Sequence, residues 1–176
     1  RDGEAPARDF IKLVLRHIAS ETESTTVTTL LRQLITTGNL YVHPGAREQT
    51  LTEIADGLIS LTESAKPGSD NQLQFAKFVP QFARTTSQLN WLGGLLDGTK
   101  EISGLKVDQD LRWELLTGLV IGGAAGEKEI AKELASDNTA GGQKFAAACR
   151  AAIPSAEAKA EAWRVLTETE DYSNTL

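Results

Sequence analysis

Apolar residues recur three and four positions apart along almost the whole of this 176-residue chain, and that spacing constrains its fold more than any other feature. It is the period of an α-helix with one face turned inward. Phe10, Val14 and Ile18 form one row, with Ile11 and Leu15 beside them, and predict a helix over 6–20. Val27, Leu30, Leu31, Leu34 and Ile35 predict a second over 25–37, although its many threonines are poor helix formers, so burial has to hold it. Pro44-Gly45 reads as a turn before a helix over 46–65. Ser69 and Gln72 read as a capping box opening a helix over 70–84, in which Pro80 should force a bend or an early end. Further helices are predicted over 86–96, 109–121, 126–136, 139–152 and 155–167, with Thr85 or Thr86 and Asp108 as caps. The stretch Asp97 to Val107 is the clear non-helical connection.

Nine helical segments joined by short turns predict an all-α fold. The arrangement that suits them is an irregular α-solenoid of antiparallel helix pairs, a curved partial array in which each pair covers its apolar face with its neighbour. No crisp repeat period is present, and a compact helical bundle is the alternative. Residues 1–176 read as a single domain. The sequence contains no methionine and its last residues follow closely on a helical run, so the chain is expected to be a module of a larger polypeptide.

Charge and composition narrow the function. There are 24 acidic and 18 basic residues, a net charge of −6, and no basic stripe, which argues against nucleic-acid binding. No segment approaches the roughly 20 consecutive apolar residues that span a bilayer, and no membrane partner is expected. Cys149 is the only cysteine, so there is no internal disulfide; among alanines on a helix it reads as a small apolar filler in a reducing compartment.

Groups that could run a reaction are sparse. His17 and His43 are separated by a whole helix and neither belongs to an HExxH arrangement, so no metal ligands are assigned. Glu21 lies one turn from His17 and fits helix-end stabilisation; His43, before Pro44, reads as a loop residue or a packing contact. Glycine pairs at 93–94, 122–123 and 141–142 carry no phosphate-loop lysine. Glu127, Glu129 and Glu133 read as charge placed against the start of a helix, as do Asp108 and Asp110. Phe75, Phe78, Phe82, Trp113 and Trp163 read as packing residues. Trp91 stands off the leucine row of its helix and is a candidate for contact with a partner domain. Arg112 is a candidate for an interhelical ion pair, or for a contact with a partner or a peptide carboxylate.

Five runs carry a resemblance: Leu30-Leu31-Arg32-Gln33-Leu34, Pro67-Gly68-Ser69-Asp70-Asn71-Gln72-Leu73-Gln74, Leu95-Leu96-Asp97-Gly98, Asp110-Leu111-Arg112-Trp113, and Asp137-Asn138-Thr139-Ala140-Gly141-Gly142-Gln143. From Phe10 through Glu168 the chain resembles the C-terminal helical domain of actinobacterial aminopeptidase N, in the zinc-dependent M1 metallopeptidase family. The Asp-Leu-Arg-Trp and Asp-Asn-Thr segments are its most specific parts. The resemblance implies a HEAT-like or armadillo-like array that caps a catalytic domain of the same polypeptide, encloses a chamber for the peptide tail and restricts access. It implies a cytoplasmic parent that releases N-terminal amino acids, with zinc held by an HExxH motif and a later glutamate, and a GxMEN motif for the substrate amino terminus. None of these motifs occurs in this chain. No catalytic residue and no cofactor is therefore assigned to it; Arg112, Trp113 and Trp91 are the candidates for interdomain or peptide-tail contact. A freestanding helical-repeat module that binds a protein or peptide is the alternative reading.

Overall fold

The computed structural model describes residues 4–169. Nine α-helices are formed among them and no strand: α1 Ala7–His17, α2 Ser24–Thr36, α3 Pro44–Ser64, α4 Asp70–Phe78, α5 Thr86–Asp97, α6 Gln109–Ile121, α7 Glu127–Ser136, α8 Ala140–Ala152 and α9 Ala156–Glu168. Short 3-10 turns follow α1 and α4, and a π-turn, Thr37–Tyr41, follows α2.

Local chemistry sets most of the helix starts. A side-chain oxygen at the residue before the helix satisfies a backbone N–H that has no partner within it. Asp108 accepts from the Leu111 amide at 2.9 Å, and Thr85 and Gln88 cap each other's backbone reciprocally. Ser69 accepts from the Gln72 amide, but the Gln72 side chain reaches past it to the Gly68 amide, so the expected box is only half formed. Pro44 and Gly45 are not a turn. They open α3, where proline's missing N–H is harmless, and His43 Nδ1 accepts from the Gly45 amide. Pro80 does end its helix: α4 stops at Phe78 and the chain continues as a 3-10 turn.

Helices α2, α4, α6 and α8 pack in succession as one layer, while α3 lies on α4, α5 on α6 and α7 on α8. That is the layering of an all-helical solenoid. Close approach depends on Gly118 of α6, where an added Cβ would sit 2.8 Å from the Pro80 Cα.

The apolar interior is divided in two, and α6 is the dividing wall. Leu111, Leu115 and Leu119 face a large core that includes Val27, Leu31, Ile54, Leu58, Phe75 and Phe82. Trp113, Leu116 and Val120 face a smaller one with Ile130, Ala146 and Cys149. Leu96 and Ala125, both partly buried, touch the two cores. The last helix, α9, has no buried residue. Trp163, expected to pack, is 70% exposed, because α9 turns that side chain away from α8. Among the described residues the exposed large apolar side chains lie at the two edges of the array: Leu13, Leu40 and Tyr41 on one, Trp163 and Leu166 on the other.

Candidate functional site

The Asp110-Leu111-Arg112-Trp113 run forms the first turn of α6, and its alternating directions send each side chain to a different task. Leu111 enters the large core and Trp113 the small one. Arg112 projects between α5 and α7. Its Nε and Nη2 donate to the two carboxylate oxygens of Glu133, both at 2.7 Å, and its Nη1 donates to the Leu96 carbonyl at the end of α5. Gln109 adds a further donor to Glu133 at 2.8 Å. A two-pronged arginine–carboxylate pair is the strong form of this contact, and it fixes orientation as well as distance. Arg112 holds the Glu133 carboxyl below the usual range against the opposing effect of burial, and Glu133 raises the guanidinium in return.

Trp113 is wholly buried, stacked on Phe145 with ring centroids 5.9 Å apart. Its indole N–H donates to Asp137 Oδ2 at 2.8 Å. Asp137 in turn accepts from the Thr139 hydroxyl, and that hydroxyl caps α8 by accepting from the Gly142 amide. Gly142 has no room for a Cβ, which would collide with the Asp137 carbonyl. Gln143 donates to Asn138. The two most specific runs of the sequence are thus one structure: the first turn of α6 grips the α7–α8 corner through Trp113 and Asp137.

Trp91 lies elsewhere, at the α3–α5 interface. It is 8% exposed, and its indole N–H donates to Glu63 at 2.9 Å. Lys100, returning from the loop after α5, pairs with the same carboxylate at 3.0 Å. Trp91 and Lys100 together hold the Glu63 carboxyl below its ordinary range. An open groove of about 470 Å³ runs beside these groups, lined also by Asp56 and Asn90. A second, of about 760 Å³, lies between the 97–107 connection and Arg112. Arg112 and Trp113 are therefore brought together in one junction, and Trp91 is not part of it.

Glu133 and Asp137 are the junction residues that sequence reasoning missed. Glu133 is buried as the partner of Arg112 rather than placed against the helix start; of the three glutamates, Glu129 does the capping, accepting from the Gly126 amide. No local spacing marked them, because each is defined by a partner on α6 more than 20 positions away. Glu21 does not pair with His17: it lies beyond the end of α1 and accepts from the amides of Thr22 and Glu23. Cys149 is buried, 3.2 Å from the Thr117 hydroxyl, and burial pushes its thiol up, away from the reactive thiolate.

Among the described residues no group of three or more His, Cys, Asp or Glu side chains is placed to hold a metal ion, and no described helix is long and apolar enough to cross a membrane. The described side chains bring together no ligand set that fits a zinc centre.

The sequence profile of the ERAP1-like C-terminal domain family matches residues 1–175. The chain is also 41% identical over 176 residues to an Aminopeptidase N of Streptomyces lividans. That alignment takes in 100% of this chain and 20% of the relative, so the chain spans about a fifth of that protein's length.

Proposed function

This chain belongs to the ERAP1-like C-terminal domain family, and from that premise we propose that it caps a zinc-dependent M1 aminopeptidase and controls substrate access to it. The parent enzyme releases N-terminal amino acids from peptides, its zinc and catalytic groups being carried by another domain of the same polypeptide. The observation that carries this reading is the alignment: all of this chain is matched, against one fifth of an aminopeptidase. A HEAT-like array beside the catalytic domain would enclose the peptide tail, select substrates by length and exclude bulk water from the closed site.

Arg112, with about a third of its side chain exposed, and Trp91, with its indole edge at a groove, are the positions we assign to interdomain or peptide-tail contact. Trp113, wholly buried, anchors the turn that carries Arg112 through Phe145 and Asp137. We assign the parent to the cytoplasm, in keeping with its resemblance and a single buried thiol.

The test is hydrolysis of an aminoacyl-amide and of peptides of graded length by the whole parent, intact and lacking this domain. Loss of length discrimination with retained cleavage of the small amide is the expected result. Identical length profiles would sink the access role. The isolated chain, supplied with zinc, is expected to cleave neither; activity that survives replacement of both His17 and His43 would overturn the assignment of chemistry to another domain.

A further inference from the structure

We propose that α7–α9 form a unit that opens as a body, hinged at Gly122–Gly126 and latched by Arg112–Glu133 and Trp113–Asp137. Two independent observations carry this. The first is the partition of the interior. The smaller core draws Trp113, Leu116 and Val120 from one face of α6 and Ile130, Ala146 and Cys149 from α7 and α8, while every buried apolar residue of α1–α5 lies in the other core. Helices α7 and α8 reach the rest of the molecule chiefly through α6, so separating them from it leaves the larger core closed.

The second is the placement of the connections. The chain leaves α6 through Gly122-Gly123-Ala124-Ala125-Gly126; Gly122 is pressed against Leu89 of α5, but Gly123 has a φ of +72° and a Cβ added at Gly123 or Gly126 would meet nothing within 4 Å. The polar contacts to α7 start from Gln109, Arg112 and Trp113, at the opposite end of α6. Ten residues of helix separate Arg112 from Gly122, a lever of about 15 Å. A connection with open space at Gly123 and Gly126 at one end and charge-assisted bonds at the other have the geometry of a door and its latch. Small units of this kind open below the global unfolding free energy. Opening changes the angle between the first six helices and the last three, and frees Arg112 beside the groove it lines.

Native-state hydrogen exchange on the 176-residue chain tests this. In the unmodified protein, exchange measured at rising denaturant should resolve two isotherms, amides of α7 and α8 opening before those of α2, α3 and α4. A single isotherm for all of them overturns the proposal. Glu133→Gln keeps the shape of the latch but removes its charge, and should speed exchange in α7 and α8 by roughly 10- to 100-fold while α2–α4 keep their rates. Acceleration spread evenly over both regions, or none in α7 and α8, also overturns it. Gly126→Ala stiffens the connection without a clash and should slow the same opening by a few-fold; should Glu133→Gln fail to fold, this variant and the unmodified chain decide the matter.

Discussion

Glu133 shows how one carboxylate can carry several structural duties. It is 5% exposed, meets Arg112 through both oxygens and accepts from Gln109 as well. Arg112→Ala leaves that carboxylate buried without its cation and is expected to cost about 3 kcal/mol in urea unfolding. The pH dependence follows from direction alone. Arg112 holds the folded-state pKa of Glu133 below its unfolded value, so this stabilisation is fully present above the unfolded value near 4.3 and lost as pH falls through the depressed folded one. Glu114 has the opposite sign. Burial raises its carboxyl in the folded state, with Lys77 opposing and Asp110 reinforcing the shift. Its ionisation therefore opposes folding at neutral pH, and the penalty fades as pH falls through the raised value. Glu114→Gln should raise the unfolding midpoint at pH 7 and leave it unchanged near pH 3; equal gains at both pH values would show that charge is not the cause.

At the scale of the helices, sequence reading goes furthest where a boundary is written in local chemistry. Asp108 and Thr85 set the starts of α6 and α5 through bonds spanning three residues, and Pro80 ends α4 through the N–H it lacks; both kinds of signal are visible in a linear string. Pro44 was misread because a proline that ends a turn and one that begins a helix look alike until His43 is seen to cap. Burial by a distant element was not legible. Nothing local distinguishes Glu133, buried against α6, from the exposed glutamates of the same helix, or Trp113, buried, from Trp163, exposed. Trp113→Ala should cost about 3–5 kcal/mol, whereas Trp163→Ser should stay within about 0.5 kcal/mol, both measured as shifts in denaturation midpoint. Gly118→Ala pushes a methyl into Pro80 and should destabilise by about 1–3 kcal/mol.

Across the whole molecule, the layering of helices follows from the three-and-four spacing, but the location of the candidate site does not. Arg112 reads from the sequence as an ion-pair or contact candidate and Trp113 as a packing residue; the resemblance joins them in one motif, and their geometry gives that motif a physical content: it fastens one part of the array to the next. The wall formed by α6 also bears on how the chain is made. Every buried residue of the larger core has been synthesised by Leu119, but the opposite face of α6 must wait for Ala146 and Cys149. Ile121 and the end of α8 at Ala152 are 31 residues apart. At ribosomal rates of about 5–20 residues per second, that interval is about 2–6 s. During it Trp113, Leu116 and Val120 form a bare apolar stripe on an otherwise finished body, a natural foothold for a chaperone and the point at which a stalled ribosome would leave this protein most prone to aggregate.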